Sequence, residues 1–232
     1  MTTRRLALFD LDHTLLPLDS DHQWAEYLAK TGRAGDPETA LRKNEELMDR
    51  YNAGDLTAEQ AAEFMLGLLC AHPPHMLAAW HEDFMQRVIR PAMTEQAVDL
   101  VQRHLAAGDL CAMVTATNSF VTAPIARAFG VQTLIATDPE YIAGRYTGKI
   151  LGTPSFKAGK VVRVNHWLSS LNKKLTDFDE SYFYSDSIND LPLLEVVTHP
   201  IVTNPSPSLL SIAKQRNWPV INLFTHTADN KS

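Results

Sequence analysis

Leu6-Ala7-Leu8-Phe9-Asp10-Leu11-Asp12-His13-Thr14 is the stretch from which the fold can be read. An apolar run cut off by an acid describes a short strand buried on both faces, as in a parallel sheet covered by helices. Ligands of open α/β sheets bind beyond the carboxyl ends of the strands, so Asp10 and Asp12 stand where a site is expected. Two carboxylates separated by one residue repel each other in a covered position unless positive charge lies between them. A divalent cation meets that need, and hard oxygen ligands suit Mg²⁺.

Outward from this stretch, comparable apolar runs recur at Leu110–Val114, Thr133–Ala136, Tyr182–Tyr184, Ile201–Val202 and Val220–Ile221. Amphipathic patterns at 94–107, 119–129, 158–170 and 206–216 fall between them, which is the alternation of an α/β fold. The stretch from Tyr141 to Ile150 predicts a hairpin with Gly144 and Arg145 at its turn. Residues 17–91 break the rhythm. They hold no strand pattern and divide into helices at 21–31, 37–52, 57–70 and 74–89, separated by turn signals at Gly32 to Pro37, Asn52 to Asp55 and Pro73-Pro74. Thr57 and Gln60 predict a capping box. The expected organisation is a core of residues 1–16 and 92–232 with a helical cap, 17–91, inserted after the first strand.

Three further clusters follow predicted strands. Ser185-Asp186-Ser187-Ile188-Asn189-Asp190 again puts two acids at a strand end, with Asn189 between them; Asp190 can also cap the helix that Leu191 and Pro192 begin. Val114-Thr115-Ala116-Thr117-Asn118 offers a hydroxyl and free backbone N–H groups at a helix start, an anion site. In Phe156-Lys157-Ala158-Gly159-Lys160, a lysine opens a helix against the helix dipole, which a bound anion rationalises. Gly159-Lys160-Val161 at the start of the amphipathic pattern favours Lys160 over Lys157.

Taken in order, these four clusters resemble the motifs of the haloacid dehalogenase superfamily, in its phosphatase branch, from Leu6 to about Asn204. The helical insert resembles a C1-type cap and points to the phosphoserine-phosphatase-like subfamily, whose fold is a Rossmann-like parallel sheet. The resemblance implies a Mg²⁺-dependent phosphomonoesterase acting on a small-molecule phosphate. It implies that Asp10 attacks phosphorus and becomes an aspartyl-phosphate, and that Asp12 protonates the leaving alcohol and then activates water. It further implies that Asp186 binds Mg²⁺ with Asp10 and the Asp12 carbonyl, that Asp190 supports the metal, and that Thr115, Ala116 and Lys160 hold the phosphoryl oxygens. One position departs from the family pattern: Ser185 stands where the last motif usually has glycine.

Composition narrows the classes. The chain has 232 residues, 45% hydrophobic and 21% charged, which suits a globular protein with a sizeable core. Its net charge of −6 and lack of a basic, aromatic-interleaved stripe argue against nucleic acid. Residues 17–91 carry 13 acids against 7 bases, while the rest carries 14 of each. There is no G-x-G-x-x-G, P-loop or H-E-x-x-H. Cys70 and Cys111 form no disulfide framework and read as reduced thiols. No apolar run approaches the roughly 18 residues of a membrane span and no signal-peptide pattern is present. The expectation is a cytoplasmic protein, monomer or homodimer, without a membrane partner.

The insert bears on the substrate. Similar phosphoserine phosphatases use an acid in the first cap turn for the amine, which Asp19 or Asp21 could supply, and a cap arginine for the carboxylate. Residues 51–86 contain no Lys or Arg, which leaves Arg87 or Arg90 as the means of pairing a carboxylate. Without one, a carboxylate in a closed site binds badly. Trp24, Phe64, Met65, Trp80 and Phe84 could line an apolar or aromatic pocket or, at their helical spacing, form the core of the insert, and His13 and Asn189 are candidates for substrate contacts. These features suit an amino-alcohol phosphate with a ring, such as histidinol phosphate; phosphoserine, or transfer by a phosphotransferase or mutase, are the alternatives.

Overall fold

The computed structural model describes residues 4–53 and 58–224. The predicted capping box at Thr57 and the tail from Thr225 lie outside the described residues. β1 (Arg5–Phe9) is central to a sheet of seven strands ordered β4-β3-β2-β1-β5-β6-β7. It pairs in parallel with β2 (Leu110–Asn118) and β5 (Glu180–Ser185), and Phe9 lies opposite both Met113 and Tyr184. That register brings Asp10, the Thr115 segment and Asp186 to one edge of the sheet. β3 (Leu134–Ile142), β6 (His199–Thr203) and β7 (Val220–Ile221) extend the parallel order, and β4 (Arg145–Leu151) closes one edge antiparallel to β3.

Alternation along β1 divides the core. Ala7 and Phe9 join one buried cluster with Leu11, Leu15, Trp24, Leu66 and Phe84, while Leu6 and Leu8 join another with Val114, Val164 and Phe183. Helices cover both faces, so β1 is apolar along nearly its whole length.

Between β1 and β2 the described chain is helical. α1 (Ser20–Lys30) is capped by Asp19, whose carboxylate accepts from His22 N at 2.8 Å. α2 (Pro37–Ala53) and α3 (Ala58–Cys70) follow. α4 (Pro74–Phe84) continues through a π turn, Met85–Ile89, into α5 (Arg90–Ala92). α6 (Glu95–Ala106), capped by Thr94, leads to β2, and α7 (Ser119–Ala128), capped by Asn118, leads to β3. α8 (Ala158–Ser170), α9 (Leu191–Leu194) and α10 (Pro207–Arg216) complete the layers.

The strands differ from the sequence expectation at two places. β2 runs on through Thr115-Ala116-Thr117 to Asn118, because threonine favours extended backbone, with a register irregularity between Val114 and Asn118. The hairpin turn is Ala143-Gly144, one residue earlier than predicted: Ile142 pairs with Arg145, and the two loop residues have φ of 50° and 81°, as a two-residue hairpin loop requires. The hairpin also meets the helical insert. A Cβ on Gly148 would stand 3.1 Å from Cys70 Sγ and 3.9 Å from Gly67 Cα, so β4 and α3 approach closely there.

Candidate active site

Asp10 continues the sheet ladder by donating its N–H to Tyr184 O (2.9 Å), which fixes the carboxyl at the sheet edge. Lys160 reaches it from the first turn of α8. Its Nζ donates to Asp10 Oδ1 (2.9 Å) and Asp190 Oδ2 (2.7 Å), and the side chain is buried. The helix can start this close because residue 159 is glycine: a Cβ there would lie 2.2 Å from the Pro154 carbonyl oxygen. Lys157 is exposed, with its ammonium 5.1 Å from the Phe156 ring centroid. Of the two candidate lysines, Lys160 is the one in the site.

Ser185, the departure from the family pattern, has a definite task. Its Oγ donates to Asp190 Oδ2 (2.7 Å) and accepts from Ser187 N (3.1 Å). Asp190 Oδ2 therefore accepts from both Lys160 and Ser185, so this oxygen is held by protein donors rather than free for a cation. Thr14 Oγ1 donates to Asp186 Oδ1 (2.9 Å) and accepts from Asp186 N (3.0 Å), tying the first motif to the last.

Asp12 lies opposite. Its Oδ1 accepts from Ser20 N (2.8 Å) and its Oδ2 from Thr117 Oγ1 (2.7 Å). Burial, with repulsion from Asp19, pushes its carboxyl up to about 6 against these hydrogen bonds. Burial raises Asp186 to about 6 as well, opposed by the Thr14 hydrogen bond. Burial also holds Asp10 well above the ordinary carboxylate value, with Lys160 opposing and Asp190 and Asp186 adding to the effect. Burial works to lower Lys160, yet Asp10 and Asp190 keep it above its ordinary value. At neutral pH the lysine is a fixed cation, outnumbered by the carboxylates around it.

These groups line a cleft of about 590 Å³ that also takes in Thr115, Ala116, Asp19, His13 and Asn189. Thr115 is buried, and its Oγ1 accepts from Thr117 N (3.2 Å). Other expected residues lie elsewhere. Asp21 does not line the cleft; its carboxylate accepts from Asn118 Nδ2 (2.7 Å), and burial with repulsion from Asp19 and Asp12 holds it well above its ordinary value. Arg87 pairs with Asp83 (2.7 Å) and Arg90 is exposed, so neither reaches the cleft. Among the described residues Lys160 is the one Lys or Arg that lines it.

Of the two readings of the insert's large apolar residues, the structure bears out the core and not the wall. Trp24 and Phe84 are buried in the main cluster, Met65 is buried as well, and none of Trp24, Phe64, Met65, Trp80 or Phe84 lines the cleft. Their helical spacing marks a packing face: Trp24 lies against Tyr27, His81, Phe84 and Phe120. The rings that do line the cleft belong to His13, His22 and Phe156. Sequence reasoning missed His22, Phe156, Thr14 and Thr117 as site residues. Thr14 and Thr117 were within the quoted motifs; the signal for them was a hydroxyl beside an acid, visible only once the strand ends meet.

Hard oxygen donors fit a magnesium-type ion here. Asp10 and Asp186 bring carboxylates to the cleft, where Lys160 is the one Lys or Arg among the described residues. Among the described residues no three His, Cys, Asp or Glu side chains form a preformed metal cage.

Residues 7–195 match the family model for haloacid dehalogenase-like hydrolase. The chain belongs to that family. It is 41% identical to a histidinol-phosphatase of Neisseria meningitidis serogroup C (strain 8013), over 94% of this chain and 99% of that protein. It is 29% identical to phosphoserine phosphatase SerB1 of Mycobacterium tuberculosis (strain ATCC 25618 / H37Rv), over 92% of this chain and 69% of that protein. A solved structure of a protein of unknown function from Bordetella pertussis Tohama I is 74% identical, with a TM-score of 0.95 over 96% of this chain and all of that one (100%). A substrate-bound phosphoserine phosphatase shares the fold, with a TM-score of 0.67 at 17% identity over 97% of this chain and 95% of that one.

Proposed function

We propose that this hydrolase is a Mg²⁺-dependent phosphomonoesterase whose substrate is histidinol phosphate or a similar amino-alcohol phosphate. The observation that carries the reading is the cleft itself. It gathers Asp10, Asp12, Asp186 and Lys160, and among the described residues it has no second Lys or Arg to pair a substrate carboxylate. The relative named histidinol-phosphatase supports the same substrate. Phosphoserine carries a carboxylate, which the cleft would leave unpaired.

Asp10 is the nucleophile. A carboxylate oxygen attacks phosphorus, the bond from phosphorus to the alcohol oxygen breaks, and an aspartyl-phosphate forms. Lys160 orients Asp10 through Oδ1, while Thr115 Oγ1 and the main chain at Ala116 contact phosphoryl oxygens. Asp12, raised to about 6, gives its proton to the departing alkoxide. It then takes a proton from water, the water oxygen bonds to phosphorus, and the bond to Asp10 breaks to release phosphate. Asp10, Asp186 and the Asp12 carbonyl would hold Mg²⁺, with Asp190 supporting through Lys160; when bound, the ion supplies the positive charge that lets carboxylates and phosphate share one space.

Residues 17–91 act as the cap over the core formed by 1–16 and 92–232, and Asp19 receives the substrate amine. Among the described residues no helix is long and apolar enough to cross a membrane, and the free thiols Cys70 and Cys111 suit the reducing cytoplasm.

The test compares kcat/KM for histidinol phosphate and phosphoserine with Mg²⁺. Histidinol phosphate is expected to lead by at least about tenfold, a 1.4 kcal/mol difference. A preference for phosphoserine refutes the substrate assignment. Asp10→Asn is expected to abolish phosphate release, and activity near wild type in that variant refutes the mechanism.

A further inference from the structure

One part of the cleft has no task in the chemistry above. His22 lines it from the first turn of α1, and Phe156 lines it from the loop before α8. The His22 backbone is anchored: its N–H donates to Asp19 Oδ1 (2.8 Å) and its carbonyl accepts from Asn44 Nδ2 (3.3 Å). One of its ring nitrogens is uncommitted: among the described residues the buried Nδ1 has no hydrogen-bond partner. Folded proteins rarely keep a buried polar atom unpaired, and each such atom needs a reason. A half-turn about the Cβ–Cγ bond, a torsion with two broad wells, exchanges Nδ1 with Cδ2 and takes the nitrogen out of that position.

Phe156 is uncommitted in a different way. The ring is half-buried, and its recorded ring contact is with the exposed ammonium of its neighbour Lys157. The aromatics of the insert, by contrast, have ring partners: Trp24 packs with Phe84, Tyr27 with Phe84, and His81 with Phe120 of α7. Among the described residues the cleft thus has an aromatic face without a ring partner and an imidazole nitrogen without a hydrogen-bond partner, beside the acid at Asp19.

We infer that His22 and Phe156 form the leaving-group subsite, which takes a planar, hydrogen-bonding ring on the substrate alcohol: Phe156 packs against its face and His22 hydrogen-bonds its edge. An imidazole-class ring has both features, a π face and one donor and one acceptor nitrogen. This deepens the phosphomonoesterase reading and rests on it.

The experiment uses two ligands that share an amine and differ in the ring. Histidinol phosphate carries both; phosphoethanolamine carries the amine alone. Kinetics are measured for wild type, Phe156→Leu, Phe156→Tyr and His22→Leu, and binding of the alcohols histidinol and ethanolamine is measured by calorimetry. Phe156→Leu and His22→Leu are each expected to lower the kcat/KM ratio of the ringed to the ringless ester by about tenfold, mainly through KM, as the loss of one good ring or hydrogen-bond contact predicts. Histidinol binding should weaken in parallel, and Phe156→Tyr, which keeps the ring, should retain the ratio. Equal losses for both esters, or a ratio untouched by both leucine variants, overturns the subsite and leaves the hydrolytic reading intact. Ring-selective binding that both leucine variants weaken, without release of phosphate from either ester, overturns the hydrolytic reading and supports the subsite.

Discussion

Replacing Lys160 with methionine tests the electrostatic balance of the site apart from its catalysis. The ammonium donates at 2.9 Å to Asp10 and at 2.7 Å to Asp190, and it is about 2% exposed. Methionine nearly conserves volume, so little cavity opens; what is lost is the charge that two buried carboxylates face. Breaking a buried ion pair by removing one partner costs about 3–5 kcal/mol, because the remaining charge stays uncompensated. In a chain of this size that is a fall in Tm of roughly 10 °C. Asp190→Asn alone also destabilises, since it removes the negative charge that faces Lys160 and weakens the acceptor that Lys160 (2.7 Å) and Ser185 (2.7 Å) share. The double variant should cost less than the two singles together by about 1–3 kcal/mol, the coupling expected of residues in direct contact, because one stranded charge has gone with the cation. The assay is urea unfolding at pH 7.5 with EDTA for the four proteins of the cycle. Additivity within about 0.5 kcal/mol, or a single-variant cost under about 1 kcal/mol, where exposed pairs fall, would refute the reasoning.

Two other perturbations follow from the packing. Asp21 keeps a raised carboxyl, above all through burial, so its ionisation opposes folding: the penalty is absent below the unfolded value of about 4 and grows as pH rises. Asp21→Asn, which still accepts from Asn118, should raise Tm at pH 8 with a gain that shrinks toward pH 4; a lower Tm at every pH would show that the charge is needed. Gly148→Cys places a Cβ 3.1 Å from Cys70 Sγ, near the roughly 3 Å that separates a Cβ from the far sulfur of a disulfide. Oxidation should crosslink α3 to β4, seen as a joined peptide by mass spectrometry, and slow turnover until a reductant is added. A complete crosslink with unchanged kcat would show that α3 and β4 stay together through the cycle.

Legibility in the sequence followed physical distinctness. Leu6–Phe9 could be placed because a strand buried on both faces leaves an uninterrupted apolar run, and the acid after it marks the sheet edge. Lys160 could be preferred to Lys157 because one opens an amphipathic helix. The continuation of β2 through Thr115–Asn118 was hidden, since a hydroxyl-rich segment suits a strand end and a loop equally. The wall of the cleft was ambiguous for a related reason: apolar residues at helical spacing suit a pocket and a packing face equally, and Trp24 and Phe84 turned to the core. His22 sits in the first turn of a helix that the sequence did show and Phe156 in the loop before another, and only the tertiary fold brings both to one cleft. Ser185 stood out as an unusual residue, but its hydrogen bond to Asp190 needed the turn at 188–190 to be seen.

The charge distribution connects these observations. The insert holds the whole net charge of −6 and the core is neutral, yet that neutrality includes Asp10, Asp12, Asp186 and Asp190. Set those four against a bound cation and the rest of the core is positive, which suits a phosphate at the sheet edge. On the insert side the cleft presents Asp19 and, among the described residues, no Lys or Arg, which suits an amine and repels a carboxylate. A substrate with a phosphate at one end and an ammonium at the other is then oriented before it touches a catalytic group, phosphate to the core and amine to the insert. Charge reversal at the insert wall, Asp19→Lys, should therefore raise KM for amine-bearing phosphates and lower it for carboxylate-bearing ones such as phosphoserine. If KM moves the same way for both, Asp19 is serving its hydrogen bond to His22 N and the orientation has another source.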